Sequence, residues 1–127
     1  MSTPLSDAEL LAAADAVSAR AYAPYSDFHV GCAVLARDGR VIEGVNVENA
    51  AYPLGVCAER TTFSRAIAEG YRPGDFAVAA ITASPCGGCR QWLHEFRIGE
   101  VSFRREDGSI ASYSAAELLP DTWSLPG

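Results

Sequence analysis

Asp75-Phe76-Ala77-Val78-Ala79-Ala80-Ile81-Thr82 is almost unbroken apolar text, closed by Ala83-Ser84-Pro85 and followed at once by Cys86-Gly87-Gly88-Cys89. A run this short, with no polar alternation, describes a strand covered on both faces. Helices should supply the cover. Residues 58–69 favour a helix by propensity, with Gly70 and Pro73 to end it, and another is expected from about Gly87 to Phe96. Further out, strands are expected near 28–36 and 41–47 around the hairpin signal Asp38-Gly39, and at 100–105 and 109–113 around Asp107-Gly108. Ser6-Asp7-Ala8-Glu9 and Ser114-Ala115-Ala116-Glu117 are capping boxes that open a first and a last helix. The first carries Leu10, Leu11, Ala14, Val17 and Ala21 at helical spacing, with Pro24 as its limit; the last is short and runs through Leu119. The order αββαβαββα predicts a three-layer α/β/α sandwich with a mixed five-stranded sheet. No repeat or linker interrupts the chain, so residues 1–127 are expected to form a single domain.

Sixteen acidic and ten basic side chains leave a net charge of -6, and Arg104-Arg105 is the only adjacent basic pair. Such a surface repels a phosphate backbone, so nucleic acid is not an expected partner. Asp7 and Glu9 stand where a secretory signal would be basic and then apolar, and no eighteen-residue apolar stretch could span a bilayer. A cytoplasmic location away from the membrane is expected.

Four cysteines occur, at 32, 57, 86 and 89, and in a reducing compartment the close pair Cys86-x-x-Cys89 points to metal or redox chemistry. Three residues apart in a first helical turn, its thiols fall on nearly one face and can grip one ion. Cys57 and Glu59 are two apart, and face one cavity only if Cys57 lies at or before its helix cap. Helix amino termini lower the cost of forming thiolates. Three sulfur ligands leave a tetrahedral zinc one open position, the pattern of a catalytic site, where a bound water becomes acidic near neutral pH. Three thiolates would blunt that effect, and Arg60 is the candidate cation to offset them by donating to sulfur. A redox pair and a closed structural zinc site are the alternatives. The second needs a fourth ligand from Cys32, His29 or His94, but Cys32 reads as core and both histidines lack ligand-like spacing.

Cys57-Ala58-Glu59 with a later Pro85-Cys86-x-x-Cys89 is the three-cysteine version of the zinc nucleobase deaminase pattern. The whole chain resembles the small homotetrameric cytidine deaminases. The likeness extends through Ala23-Pro24-Tyr25-Ser26-Asp27-Phe28, Asn46-Val47-Glu48-Asn49-Ala50, Tyr52-Pro53-Leu54-Gly55-Val56, Cys89-Arg90-Gln91 and Glu117-Leu118-Leu119-Pro120. It implies one zinc ion per subunit on Cys57, Cys86 and Cys89. It also implies hydrolytic deamination of cytidine and 2'-deoxycytidine in pyrimidine salvage, by attack of zinc-activated water at C4 with Glu59 shuttling protons. By the same resemblance Phe28 packs on the pyrimidine, Asn46 and Glu48 bind the ribose hydroxyls and the Ala58 N–H binds the ring carbonyl. Trp123, where phenylalanine is common, would then enter a neighbouring subunit's site in a homotetramer with shared active sites. The loop before Pro85 is short for this family, and His29 is an unusual neighbour for Phe28. A nucleoside antibiotic of the blasticidin type is the alternative substrate, and a zinc-stabilised binding module without turnover is the alternative class.

Overall fold

The computed structural model describes residues 5–123 and Leu125; residues 1–4, where the expected single domain and the reading of the amino terminus begin, lie outside it, as do 124, 126 and 127. Along the chain run α1 (Asp7–Ser18), β1 (Gly31–Ala36), β2 (Val41–Val45), α2 (Ala58–Ala68), β3 (Phe76–Ile81), α3 (Gly87–Glu95), β4 (Glu100–Arg104), β5 (Ile110–Tyr113) and α4 (Ala115–Leu118). The strands form one sheet in the order β2-β1-β3-β4-β5, so the apolar run that opened the reading is its central strand. β3 pairs parallel with β4 and every other neighbour pairs antiparallel, which makes the sheet mixed.

The three layers follow from the two-residue period of β1, all six residues of which are buried. Cys32, Val34 and Ala36 join Phe63, Phe76, Leu93 and Val101 in the larger core. Ala33 and Leu35 point the other way, onto Leu10, Leu11 and Ala14 of α1. On the α2–α3 side the rings of Phe63, Phe76 and Phe96 meet with centroids 4.8 to 6.1 Å apart. Each such pair contributes about 0.5–1.5 kcal/mol beyond its buried area, and together they tie α2, β3 and the end of α3 to one another. α2 also lies directly on β2: a Cβ on Gly44 would stand 2.3 Å from Thr62 Oγ1 and 2.7 Å from the Thr62 backbone nitrogen. Only glycine permits that approach, and the helix so seated is the one that carries Cys57 and Glu59 at its start.

Both capping boxes are present, with Ser6 and Ser114 accepting from the N–H of Glu9 and Glu117. The expected strand at 28–36 begins later, at Gly31, because the Asn46 side chain takes the backbone groups that a ladder would have used. Its Oδ1 accepts from Val30 N at 2.8 Å and its Nδ2 donates to Phe28 O at 2.9 Å. The second strand stops at Val45, since Val47 bridges to Tyr22 and Val56 instead. α1 ends at Ser18, short of Pro24, where the chain turns so that Tyr22 N can donate to Asn46 O. The remaining boundaries differ from expectation by one residue, and α4 ends at Leu118. Among the described residues no helix is long and apolar enough to cross a membrane.

Candidate active site

Two helices begin at the carboxyl end of β3 and of the loop after β2, and each begins on a cysteine. Cys57 is the N-cap of α2, with extended backbone at φ −72° and ψ 157°, which is the placement the two-residue offset from Glu59 demands. Cys86 caps α3, its Sγ accepting from the Cys89 backbone N–H at 3.4 Å. Both helix amino termini therefore aim their unpaired N–H groups and dipoles at one spot, and that favours anionic sulfur there.

The Sγ atoms of Cys57, Cys86 and Cys89 all lie within 4.8 Å of one another, and Cys57 and Cys86 are 4.0 Å apart. Zn–S bonds of about 2.3 Å at tetrahedral angles place sulfurs about 3.8 Å apart, so the trio fits zinc with little movement. The electrostatics agree. Hydrogen bonding from Cys89 pulls the Cys57 thiol down to about 6, helped by Cys86 and the Arg60 charge against the effect of burial. The same contact with Cys57, together with burial and the nearby Glu59 charge, pushes Cys89 up. Thiols that compete in this way for one proton are relieved by a divalent cation. Cys32, the fourth free cysteine, is fully buried among core side chains, and burial raises its pKa.

A cavity of about 200 Å³ opens beside the sulfurs, and Phe28, Asn46, Cys57, Ala58, Glu59 and Cys86 line it together with apolar Val30, Ile81 and Ala83. Glu59 is only 3% exposed, and burial raises its carboxyl pKa above the ordinary carboxylate value. A buried carboxyl with no cationic partner in contact is costly unless it has a use, and here it faces the space next to the thiols. Phe28 is 61% exposed, so it forms a lip of the cavity and not part of the core.

Arg60 reaches across both motifs. A Cβ on Gly88 would lie 2.2 Å from Arg60 Nη2, so the bare backbone of the Cys86–Cys89 turn is what makes room for the guanidinium. Its Nε is buried with no hydrogen-bond partner. Burial opposes its charge, but a hydrogen bond with Cys89 and the charges of all three thiols outweigh that and raise its pKa. Arg60→Ala is expected to keep the metal but to make its thiolates more electron-rich, moving the acidic limb of the pH–rate profile to higher pH and lowering the rate. An unchanged profile and rate would leave Arg60 as a packing residue only.

The other expected site residues are placed less directly. Two hydrogen bonds already engage the Asn46 amide, leaving one donor hydrogen and one acceptor lone pair toward the cavity. Glu48 lines a different depression, with Tyr25, Ser26 and Tyr52. Its carboxylate accepts from the backbone N–H of Tyr25 at 2.9 Å and of Ser26 at 3.2 Å, and from the Ser26 hydroxyl. These bonds hold it well ionised and fix the loop that precedes Phe28, the Ser26 hydroxyl bond contributing most. His29 pairs with Asp27 at 3.1 Å, outside the lining. Trp123 does not line the cavity of its own chain and is 72% exposed.

Arg90 is a positioning group that the sequence did not single out. It donates from Nε to Pro85 O at 2.9 Å and from Nη1 to Leu118 O at 3.2 Å, bracing the short loop that delivers Cys86. The available signal was an arginine one residue after the last cysteine, in reach of the loop that precedes its own helix. A larger depression of about 530 Å³ is lined by Arg37, Asp38, Arg40, Glu69, Tyr71 and Asp75, away from the thiols; within it Arg40 pairs with Glu69 at 2.8 Å and Tyr71 donates to Asp38 at 2.8 Å.

Residues 5–105 match the family described as the cytidine and deoxycytidylate deaminase zinc-binding region. A cytidine deaminase of Sporosarcina psychrophila is 41% identical over 124 residues, covering 91% of this chain and 90% of that protein. The crystal structure of cytidine deaminase from Burkholderia pseudomallei superposes with a TM-score of 0.88 at 44% identity, covering 94% of this chain and all of that one. The corresponding enzyme structure from Mycobacterium tuberculosis gives a TM-score of 0.81 at 34% identity, over 95% and 99% of the two chains. With a matching zinc-binding region, a trio of thiols spaced for the ion and a shared fold over nearly its full length, the chain belongs to the cytidine and deoxycytidylate deaminase family.

Proposed function

We propose that this protein is a zinc-dependent hydrolase that converts cytidine and 2'-deoxycytidine to uridine and 2'-deoxyuridine with release of ammonia. The observation that carries the proposal is the buried Glu59 carboxyl in a cavity also lined by Cys57 and Cys86, two of the three clustered thiols. Cys57, Cys86 and Cys89 would hold zinc, and the bound ion supplies the acidity that makes water a nucleophile near neutral pH.

Glu59 ligates nothing in this scheme and is free to move protons. It takes one from the attacking water and delivers it to ring N3, then carries a second to the departing amino group. Burial raises its pKa, the direction that helps a carboxyl donate a proton as well as accept one. Ala58 is the first residue of α2, where a backbone N–H has no partner within the helix, so it is placed to donate to the ring carbonyl. Phe28 packs on the ring face at the lip, while Val30, Ile81 and Ala83 keep water away from it. The spare donor and acceptor of Asn46, with Glu48 beyond it, orient a ribose.

The discriminating experiment is ammonia release by the purified protein across cytidine, 2'-deoxycytidine, cytosine, adenosine and blasticidin S. Turnover of the two nucleosides well above the rest supports the proposal. Preference for blasticidin S, or no turnover with full zinc, contradicts it.

We propose further that residues 1–127 work as a single domain in the cytoplasm, in pyrimidine salvage, as a homotetramer with shared active sites. Four free cysteines, three of them reactive ligands, suit a reducing compartment. The cavity of about 200 Å³ is smaller than the ~300–1,000 Å³ usual for ligand pockets, so a nucleoside needs cover from outside the chain. Trp123, large and exposed, is suited to cover the base in a neighbour. Trp123→Ala is then expected to raise KM by about 5- to 100-fold, the value of one aromatic stacked on a base, with a smaller effect on kcat. Mixing Glu59→Gln chains with Trp123→Ala chains should restore low KM at the intact Glu59 sites. A KM that stays high at every mixing ratio, despite proven subunit exchange, rules out sharing.

A further inference from the structure

The carboxyl-terminal segment is fastened to α3 at two points one helical turn apart. Arg90 Nη1 donates to Leu118 O at 3.2 Å, and His94 Nε2 pairs with Thr122 Oγ1 at 3.0 Å in a half-buried setting. Between the two fastenings the chain leaves α4 at Leu119, passes Pro120 and reverses at Asp121, which stands in the left-handed region at φ +55°. Aspartate enters that region more readily than most L-residues, and here it turns the chain between the two fastenings. One residue after Thr122 comes Trp123, 72% exposed. Two hydrogen bonds to α3, one of them between half-buried side chains, are thus made by a segment whose largest side chain makes little contact with its own chain. Such fixing has no evident use in packing Trp123, and has one in aiming it.

We propose that His94 is a positioning residue that sets the direction of Trp123, so that α3 both supplies two metal ligands to its own site and aims the aromatic that covers a neighbour's. The proposal rests on the reading of Trp123 given above. His94 touches no reacting atom; it acts through Thr122 and the orientation of the next residue. Loss of its hydrogen bond should let the tail swing without unfolding anything, since neither His94 nor Thr122 is a fully buried core residue.

The test uses the full chain labelled with 5-fluorotryptophan, which carries two reporters, Trp92 and Trp123. His94→Phe and Thr122→Val are each expected to shift and narrow the Trp123 fluorine resonance while Trp92 stays put. Each should also raise KM for cytidine by about 3- to 10-fold, the size of one net hydrogen bond, with kcat within about twofold. His94→Gln, whose amide can pair with Thr122, should recover both. In a Trp123→Ala background, His94→Phe should leave KM where Trp123→Ala put it. An unmoved Trp123 resonance in His94→Phe, an unchanged KM in that variant, or an equal KM rise with and without Trp123 overturns the proposal. Should Trp123→Ala alone leave KM unchanged, the covering role of Trp123 falls and this inference with it. The resonance distinguishes the two failures, because it reports the fastening of the tail whatever the tail covers.

Discussion

Glu59→Gln is expected to fold and bind zinc as the parent does while losing turnover by well over the ~10²- to 10⁴-fold of one general acid–base step. The reason is multiplicity. In the mechanism proposed above the same carboxyl serves the attacking water, ring N3 and the leaving amino group, so its loss would remove several transfers at once. Glutamine keeps the volume and hydrogen-bonding reach of a side chain that is 3% exposed, and it removes the cost of burying a charge, so stability should hold or rise. Circular dichroism and metal analysis check the first half, and single-turnover rates on cytidine check the second. Near-normal turnover in this variant would remove Glu59 from the mechanism.

Replacing Cys57, Cys86 or Cys89 by alanine should abolish activity through a different route, the loss of metal. Each sulfur belongs to a trio within 4.8 Å, and a site with two thiolates and one more open position binds zinc far less tightly. The three variants need not be equal. Cys86 also caps α3 by accepting from the Cys89 N–H, so its removal takes away a sulfur cap as well as a ligand. Cys57 makes no such capping bond, and its variant should lose metal with less cost to the apo fold. Zinc content by mass spectrometry under native conditions, with thermal unfolding of the metal-free forms, separates the two effects. Full zinc occupancy in any one variant removes that cysteine from the ligand set.

The grouping of the cysteines was legible in the sequence because it follows from local rules. A Cys-x-x-Cys at a helix start places its sulfurs together, and a cysteine two residues before a glutamate must lie at the cap if both are to face one space; α3 and α2 obey these constraints. The layers were legible for a similar reason, since an unbroken apolar run such as 76–81 must be covered on both sides. What escaped was decided by side chains that replace backbone pairing. Asn46 takes the groups of Phe28 and Val30 that would have begun β1, and no propensity reports that a distant amide will do so. Glu48 was named as a ribose-binding residue by resemblance, but the bonds of its carboxylate to the Tyr25–Ser26 turn escaped in the same way. The fastening of His94 to Thr122 joins residues 28 apart and leaves no periodic trace. Spacing along a helix shows which groups share a face, and it is silent on what a loop will lean against.

The central claim is that a single zinc held by three cysteines makes this chain turn over cytidine, and one titration tests it most directly. The purified protein is stripped of metal with a chelator, zinc is returned stepwise, and the conversion of cytidine to uridine is followed against metal content. The account predicts no turnover in the stripped protein and a linear recovery that saturates at one zinc per chain. Turnover that persists in metal-free protein, or that fails to appear when the three thiols are shown to hold zinc, would contradict it.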